Sequence, residues 1–413
     1  MSTRRIKTIS TQPVSATSKS SRQPRSPESR GSRTPATISD PTNAAILAIS
    51  EDRLSGFQID PFGEIATRSG VDADTVIARV VAMLAAGTIR RVRQTLLSTS
   101  LASGALCAWE IASDKLDAGF DYMFRDDPFS GHVVIRTTDA ASPGSSYRLW
   151  TTLKVPQGYS LRKHAEWLRG KVGAERFRLM PAKMLFTLGV GHVRRRGLEP
   201  GARAQQPARP LETSIVELSE LEWRVLIVLK REFAPHEIKR AIWNDRAHEA
   251  NLDLNDFFAV VRSLDERGIV GRFSTFLEHV KATAGNERAT RYNALFHWAV
   301  PPGREIDAGC EVGRHFVVTH AYWREGGPEF HDVNVMAVAH GMEKQAVLAH
   351  KAAIDAHLRE AGIAFSYTNV FWGGRSEIKP SEIAPPAYRD FCLARGIDPE
   401  LMRAEGNEEG ASA

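Results

Sequence analysis

The sequence has few cysteines and lacks long apolar segments. Its three cysteines, Cys107, Cys310 and Cys392, lie far apart without CxxC spacing, which argues against a disulfide framework and a structural zinc site. No apolar run approaches the roughly 18–20 residues that cross a membrane, and the N-terminus lacks the apolar segment of a signal peptide. We therefore expect a cytoplasmic protein with no membrane span and no bound metal.

The excess positive charge is confined to two segments. The pI is about 9.1, but residues 1–42 carry eight Lys/Arg against two Asp/Glu, and Arg194–Pro210 carries five against one. Since the net charge of the whole chain is +5, the remainder is mildly acidic. The first segment is rich in Ser, Thr and Pro and poor in apolar residues, so it predicts a disordered tail.

The remaining chain predicts one structural plan repeated twice, which is an α+β fold with a tandem duplication. Each copy begins with three short helices and a β-run, as in a winged helix-turn-helix, and the third helices end alike, on "LAAGTIRRV" and "LDERGIVGRF". About a hundred residues follow in the order strand–strand–strand–helix–strand, which indicates a ferredoxin-like α+β sandwich. The predicted boundaries are a tail at 1–43, winged helices at 44–98 and 215–273, sandwich domains at 99–196 and 274–380, a flexible linker at 197–214 and a C-terminal extension at 381–413.

The predicted third helices are poor in basic residues, although a winged helix usually binds DNA. Phosphate contacts come largely from basic side chains, yet "DADTVIARVVAMLAAG" offers only Arg79. The predicted third helix of the second copy, "LDLNDFFAVVRSLDERG", is acidic at both ends. A winged helix used as a packing scaffold is the favoured interpretation, with no nucleic acid bound by the folded part.

Polar residues occupy two adjacent strands of the second copy, within "VVTHAYWREGGPEFHDVNVMAVAHG". His320, Tyr322 and Arg324 share one strand face because side chains alternate with a period of two. If Tyr322 lies opposite Asn334, then His340 is about 13 Å from His320, at ~3.3 Å per residue. The two histidines would then flank a flat ligand and would not share one metal ion.

The order of these segments resembles the siroheme decarboxylases, which are relatives of the Lrp/AsnC regulators. In the second copy the matching segments are "GRFSTFLEH", "YNALFHWAVP", "VVTHAYWR" and "VNVMAVAHG"; in the first they are "GTIRRV", "YRLWTTLKVP" and "LMPAKMLFTLGV". The resemblance covers most of Ala45 to Pro380 and suits a fused two-subunit form. The first copy departs from it, because "IRTTDAASPGSSYRLW" stands where the histidine-and-tyrosine strand is expected and Arg148 stands where asparagine is usual.

The resemblance implies an enzyme that removes carboxylates from acetate side chains of a tetrapyrrole, with its complete site in the second copy. It needs no added cofactor, since the iron arrives with the substrate, and the two copies would pack as an intramolecular pseudo-dimer. The implied catalytic residues are His320, Tyr322, Arg324 and His340. The implied substrate-binding residues are Arg272, His279, Asn293 and Asn334.

Two other functions stay open at this point. A DNA-binding regulator of the Lrp/AsnC type would bind a small effector between its sandwich domains and would draw its DNA affinity from the basic tail or linker. A tetrapyrrole carrier would bind the pigment without turnover. The sequence gives neither the exact macrocycle nor the oligomeric state.

Overall fold

The computed structural model describes residues 34–97, 101–189, 191–212, 215–278 and 281–405. Contacts divide the chain into Met1–Thr34 and Pro35–Ala413, and every element below lies in the second part. The predicted tail falls outside the described residues up to residue 33. Among the described residues, no helix combines the length and the apolar character that a membrane span requires.

The predicted boundary of the tail at residue 43 is too late. Helix α1 begins at Pro41, and the Asp40 carboxylate accepts a hydrogen bond from the Asn43 backbone N–H at 3.0 Å. An aspartate N-cap followed by proline in the first turn is a standard helix start. Ile38 is already buried in the hydrophobic core, so the ordered chain begins several residues before the predicted position.

The elements of the first half include a β-α-β-β-α-β run, which two further strands follow. They are α1 (Pro41–Ser50), β1 (Leu54–Ser55), α2 (Pro61–Ser69), α3 (Ala73–Ala85), β2 (Ile89–Leu96), β3 (Ala102–Glu110), α4 (Leu116–Arg125), β4 (Ser130–Thr137), β5 (Tyr147–Pro156), α5 (Leu161–Val172), β6 (Arg176–Pro181), β7 (Met184–Leu188) and β8 (Leu211–Glu212).

The second half repeats the three helices and the β-α-β-β-α-β run, without counterparts of β1, β7 and β8 among its described residues, and a further helix follows. Its elements are α6 (Glu220–Leu229), α7 (Trp243–Glu249), α8 (Leu254–Glu266), β9 (Val270–Leu277), β10 (Tyr292–Ala299), α9 (Glu305–Gly313), β11 (Val318–Trp323), β12 (Val335–Gly341), α10 (Lys344–Glu360), β13 (Tyr367–Ile378) and α11 (Pro385–Leu393). The α+β class expected from the sequence is confirmed.

Helices α4 and α9 are absent from the strand–strand–strand–helix–strand order predicted from the sequence. Each carries a glycine in its interior, which lowers helix propensity by about 1 kcal/mol relative to alanine and makes the segment look like a loop. Both glycines lie where the helix approaches its sheet closely. A Cβ at Gly119 would lie 2.8 Å from Cδ1 of Ile111, and one at Gly309 would lie 2.0 Å from Cε2 of Phe186.

The strands form two sheets, and each sheet contains strands from both halves. The larger has the order β6-β3-β5-β4-β13-β10-β12-β11-β7-β8 and joins the halves at two places, where β4 pairs antiparallel with β13 and where β11 pairs antiparallel with β7. The smaller has the order β1-β9-β2, with Arg93 opposite Ser274. The strands expected to be separate wings therefore pair with each other.

The helices that precede β2 (α1 to α3) and the helices that precede β9 (α6 to α8) share one hydrophobic core. Val80 and Met83 of α3 and Val261 and Leu264 of α8 are fully buried members of one cluster. Neither group of helices can bury this surface without the other, and each exposed methylene costs about 0.8 kcal/mol.

We therefore expect residues 1–214 and 215–413, produced separately, to lack fixed tertiary structure. Mixing them should restore a one-to-one complex. Near-ultraviolet circular dichroism and size-exclusion chromatography would measure both effects. Two halves that were each folded, monomeric and unable to associate would contradict the shared core.

Within the segment predicted as a flexible linker, 197–214, the described residues 202–204 bind the second half. The Ala204 backbone N–H donates to the Arg314 carbonyl at 3.0 Å, and the Phe316 N–H donates to the Ala202 carbonyl at 3.0 Å. Strand β8 pairs with β7 at the edge of the larger sheet. Glycine and proline mark turns here, but these tertiary backbone hydrogen bonds hold the segment in place.

The C-terminal extension covers the first half. Tyr388, Phe391 and Cys392 of α11 belong to the hydrophobic cluster formed by α4, α5 and their strands. The Tyr388 hydroxyl lies 3.0 Å from Nδ1 of the buried His164. Helix α11 is thus part of the core of a domain whose other elements end about two hundred residues earlier.

Candidate functional site

Strands β11 and β12 lie next to each other in the larger sheet, but their register differs from the prediction. Tyr322 is opposite Met336, and His320 is opposite Val338, whereas the sequence placed Tyr322 opposite Asn334. The turn between the strands contains a short 3-10 helix at Pro328–Phe330, which shifts the pairing by two residues. The offset between His320 and His340 along the strands is therefore about 7 Å, at ~3.3 Å per residue, and not 13 Å.

A central cavity of about 310 Å³ lies between the larger and the smaller sheet. This volume is within the range of small-molecule sites. Strands from both halves line it. Six of the residues predicted from the sequence lie in its wall: His320, Tyr322, Arg324, His340, Arg272 and Asn293.

The other two predicted residues have different positions. His279 lies outside the described residues. Asn334 is buried away from the cavity, where its side-chain amide binds both backbone polar groups of Val300 at 2.9 Å and Glu305 at 3.3 Å. Its polar atoms are used within the protein, so Asn334 holds the chain before β12 and is not placed to contact a ligand.

Residues of the first half also line the central cavity. His132 and Arg136 of β4 were not expected there, whereas Arg90 of β2 lies in the basic segment "GTIRRV". The complete site was expected in the second copy, and this cavity is instead lined by both halves. The histidine strand was expected within "IRTTDAASPGSSYRLW", residues 135–150, but His132 lies three residues before this stretch, on β4.

A common spacing could have revealed these residues. "HVVIR" and "HAYWR" both place histidine and arginine four residues apart on the second strand of their β-α-β-β-α-β run. Four residues along a strand keep two side chains on the same face. The residue between them on that face is Val134 in the first half and Tyr322 in the second.

The wall of the central cavity carries four guanidinium groups. They belong to Arg90, Arg136, Arg272 and Arg324, and the Nε atom of each is buried without a hydrogen-bond partner among the described residues. Burial lowers the pKa of Arg90 and Arg136 to about 10, so both stay charged at neutral pH. Buried cations of this kind require anionic partners.

Glu51 is the carboxyl group in the lining of this cavity. Burial raises its pKa to about 8, against the opposing effect of hydrogen bonds from the backbone N–H groups of Val193 and His192. It is therefore mostly protonated at neutral pH and cancels little of the arginine charge. The cavity is positive and suits a ligand with several carboxylates.

His320 and Tyr322 are both uncharged at neutral pH. Burial, and then the positive charges of Arg272, Arg195 and Arg324, lower the pKa of His320 to about 3. His320 therefore does not titrate near neutrality, where an exposed histidine does. Burial raises the pKa of Tyr322, which keeps its hydroxyl as a proton donor. The two rings are stacked with centroids 6.1 Å apart.

Arg324 and His340 are held by neighbouring groups. Arg324 donates to the Met180 carbonyl, and its guanidinium carbon lies 4.5 Å from the centroid of the Tyr322 ring. Nε2 of His340 lies 3.2 Å from the side-chain nitrogen of Asn293, and the His340 ring packs edge-on against His192 at 5.2 Å. In the described part of the chain, no three His, Cys, Asp or Glu side chains are grouped as metal ligands.

Comparison with known proteins identifies this architecture. No protein-family model matches the chain, and no curated protein matches it significantly. A crystal structure of the siroheme decarboxylase NirDL matches it with a TM-score of 0.59, and 100% of that chain aligns with 86% of this one. The chain has the fold of NirDL. The sequence identity is 16%, so the resemblance expected from the sequence is confirmed for the fold.

A second NirDL structure has the same relation to the chain. It is a co-complex with an iron-uroporphyrin III analogue, with a TM-score of 0.58, 17% identity and coverage of 86% of this chain and 99% of that chain. Since nearly all of the NirDL chain aligns in both cases, the fold of NirDL spans both halves of this protein.

Proposed function

We propose that the protein is a carboxy-lyase of the siroheme decarboxylase type. It removes carboxylates from acetate side chains of a tetrapyrrole in heme-type cofactor biosynthesis. The observation that carries this proposal is the central cavity, in which four buried guanidinium groups surround a histidine and a tyrosine. The NirDL fold, and the iron-uroporphyrin analogue bound in one NirDL structure, support a tetrapyrrole as the ligand.

The chemistry requires binding, exclusion of water and one proton for each carboxylate removed. The bond between the acetate methylene and its carboxylate breaks, carbon dioxide leaves, and the electron pair is delocalised into the macrocycle. A proton then converts the methylene carbanion into a methyl group. No added cofactor is needed for this step, and any iron present belongs to the substrate.

The four arginines would bind the carboxylates that are not reacting. Guanidinium groups bind carboxylates with two parallel hydrogen bonds, and the uncharged walls around them exclude water. Arg272 and Arg324 come from the second half and Arg136 and Arg90 from the first. The substrate would therefore contact both halves of the chain.

His320 and Tyr322 are the candidate proton donors. His320 is neutral without ligand because burial and nearby arginines lower its pKa to about 3. Bound carboxylates would oppose these arginine charges and raise that pKa, so His320 would take up a proton together with the substrate. Tyr322 either donates its hydroxyl proton or orients His320. His340 is a second acid or a ligand to the substrate iron.

The test is direct conversion of the pigment. The purified protein is incubated anaerobically with siroheme, and the extracted pigment is analysed by mass spectrometry. We expect stepwise losses of carbon dioxide together with a change in the absorption spectrum. Pigment that binds with an altered spectrum but keeps its mass would indicate a carrier in place of an enzyme.

We also propose that the chain is a tandem duplication. Each half would be a winged helix-turn-helix followed by a ferredoxin-like sandwich, and the chain would be a pseudo-dimer of the two. The repeated element order and the matched histidine and arginine of β4 and β11 support this. A location in the cytoplasm stays a prediction.

A DNA-binding role is not favoured. In α8, Asp253 caps the first turn, and Arg267 at the other end is bound to Glu222 of α6. Such a helix offers few phosphate contacts. We expect a version starting at Thr34 to give no sequence-specific gel shift at nanomolar concentrations and physiological salt. A sequence-specific gel shift under these conditions would support a DNA-binding regulator of the Lrp/AsnC type.

A further inference from the structure

A second cavity, of about 790 Å³, adjoins the central one. Its wall is formed by the segment after His192, by the segment that precedes β10 and by the first two turns of α10. His192 and His340 line both cavities. At this shared position the two rings meet edge-to-face, with centroids 5.2 Å apart.

The second cavity is basic at its rim. Arg196, Arg288 and Arg291 line it and are exposed, whereas Arg195 is bound to Asp52 at 3.2 Å. Two carboxylates also line it. That of Glu287 accepts hydrogen bonds from the backbone N–H groups of Ile38 and Ser39 at 2.6 and 3.4 Å, so part of its charge is already compensated within the protein.

The second carboxylate, Glu343, stands at the N-terminus of α10. It makes no side-chain capping hydrogen bond, and Ala346 and Val347 of the first turns also line the cavity. The N-terminus of a helix of seventeen residues carries a partial positive charge that favours anions. The helix and the exposed arginines thus act on the same volume.

A third cavity, of about 200 Å³, also adjoins the central one and provides a comparison. It shares Thr152, Tyr322 and Arg324 with the central cavity, and most of its other lining residues are apolar. A ligand with several carboxylates would lose hydration there and would meet two basic side chains, Arg324 and Lys154, and burial lowers the pKa of Lys154 to about 7. The basic cavity is the better approach for such a ligand.

We propose that the second cavity is an access site where a carboxylate-bearing tetrapyrrole binds before it reaches the central cavity. His192 and His340 separate the two positions, and rotation of their side chains opens the passage. The proposal rests on the proposed function, because it takes the same class of ligand. It adds a second binding site and gives a positioning role to His192, a residue of the segment that joins the halves.

The experiment follows binding of metal-free uroporphyrin to the full chain by stopped-flow fluorescence. We expect two phases, namely a fast phase whose rate increases with concentration and a slower one that is independent of it. Arg196→Ala/Arg291→Ala should lower the association rate about tenfold at low salt, which is the size of a local steering effect. The control is Arg125→Ala/Arg389→Ala, which removes two exposed charges outside both cavities.

His192→Trp tests the passage. The larger ring should slow the second phase at least tenfold and leave the first unchanged. Equal association rates for the Arg196/Arg291 pair and its control, with siroheme still decarboxylated, would overturn this proposal and leave the proposed function standing. Failure of uroporphyrin to bind, together with no conversion of siroheme, would overturn both.

Discussion

Replacing His320 with alanine is expected to lower the rate of decarboxylation by about 10²–10⁴, the range for loss of a general acid or base. Pigment binding should survive, because the arginines and not the imidazole hold the carboxylates. Mass analysis of the pigment during a single turnover measures the rate, and a spectroscopic titration measures the affinity. His236→Ala is the control, since that histidine is exposed and lies outside the cavities.

The pH dependence distinguishes proton donation from a packing role. The ligand-free pKa of His320 is about 3, and bound carboxylates would raise it. The catalytic rate at saturating pigment should therefore fall as the pH rises through this higher pKa, because the imidazole loses the proton that it donates. His320→Gln keeps a polar side chain that does not titrate, so it should lose this dependence. Wild-type turnover in His320→Ala would move proton donation to Tyr322 or His340.

Replacing Arg136 with alanine is expected to weaken pigment binding roughly ten- to hundredfold. One hydrogen-bonded charge contributes about 1.5–3 kcal/mol, and Arg136 lies in the first half, where the sequence indicated no site. Its Nη1 atom is 3.3 Å from both the Asn293 side-chain oxygen and the Phe371 carbonyl. Thermal unfolding should be measured alongside, since the substitution also removes these contacts.

Arg136→Lys provides the matched control. Lysine keeps the charge but loses the planar pair of donors, so its affinity should fall between those of the wild type and Arg136→Ala. If Arg136→Ala binds pigment as the wild type does while Arg324→Ala does not, Arg136 does not bind a substrate carboxylate.

Local patterns predicted much of this architecture, and the errors have common physical causes. The period-two face of β11 correctly grouped His320, Tyr322 and Arg324, because alternation along a strand is fixed by its geometry. The register between β11 and β12 was wrong because the turn contains a short helix that the sequence does not mark. Helix α4 was missed because Gly119 satisfies a packing requirement that local propensity does not include.

The contribution of the first half to the cavity was missed for a different reason. Arg136 reaches the cavity because β4 pairs with β13, and Trp372 lies opposite Thr137 across that junction. A pairing between strands more than two hundred residues apart leaves no local pattern in either strand. The sequence shows only the four-residue spacing of His132 and Arg136. This spacing indicates a site in the first half once it is compared with the same spacing of His320 and Arg324.

The pairing of β4 with β13 also constrains how the chain reaches its folded state during synthesis. Strand β4 leaves the ribosome long before β13, and β2 likewise precedes its partner β9. Strands β4 and β2 therefore present unpaired edges while the second half is being synthesised. Unpaired strand edges can pair with other chains and cause aggregation. Contacts between distant residues also slow folding. Correct production of this protein should thus depend on chaperones that protect the first half until translation is nearly complete.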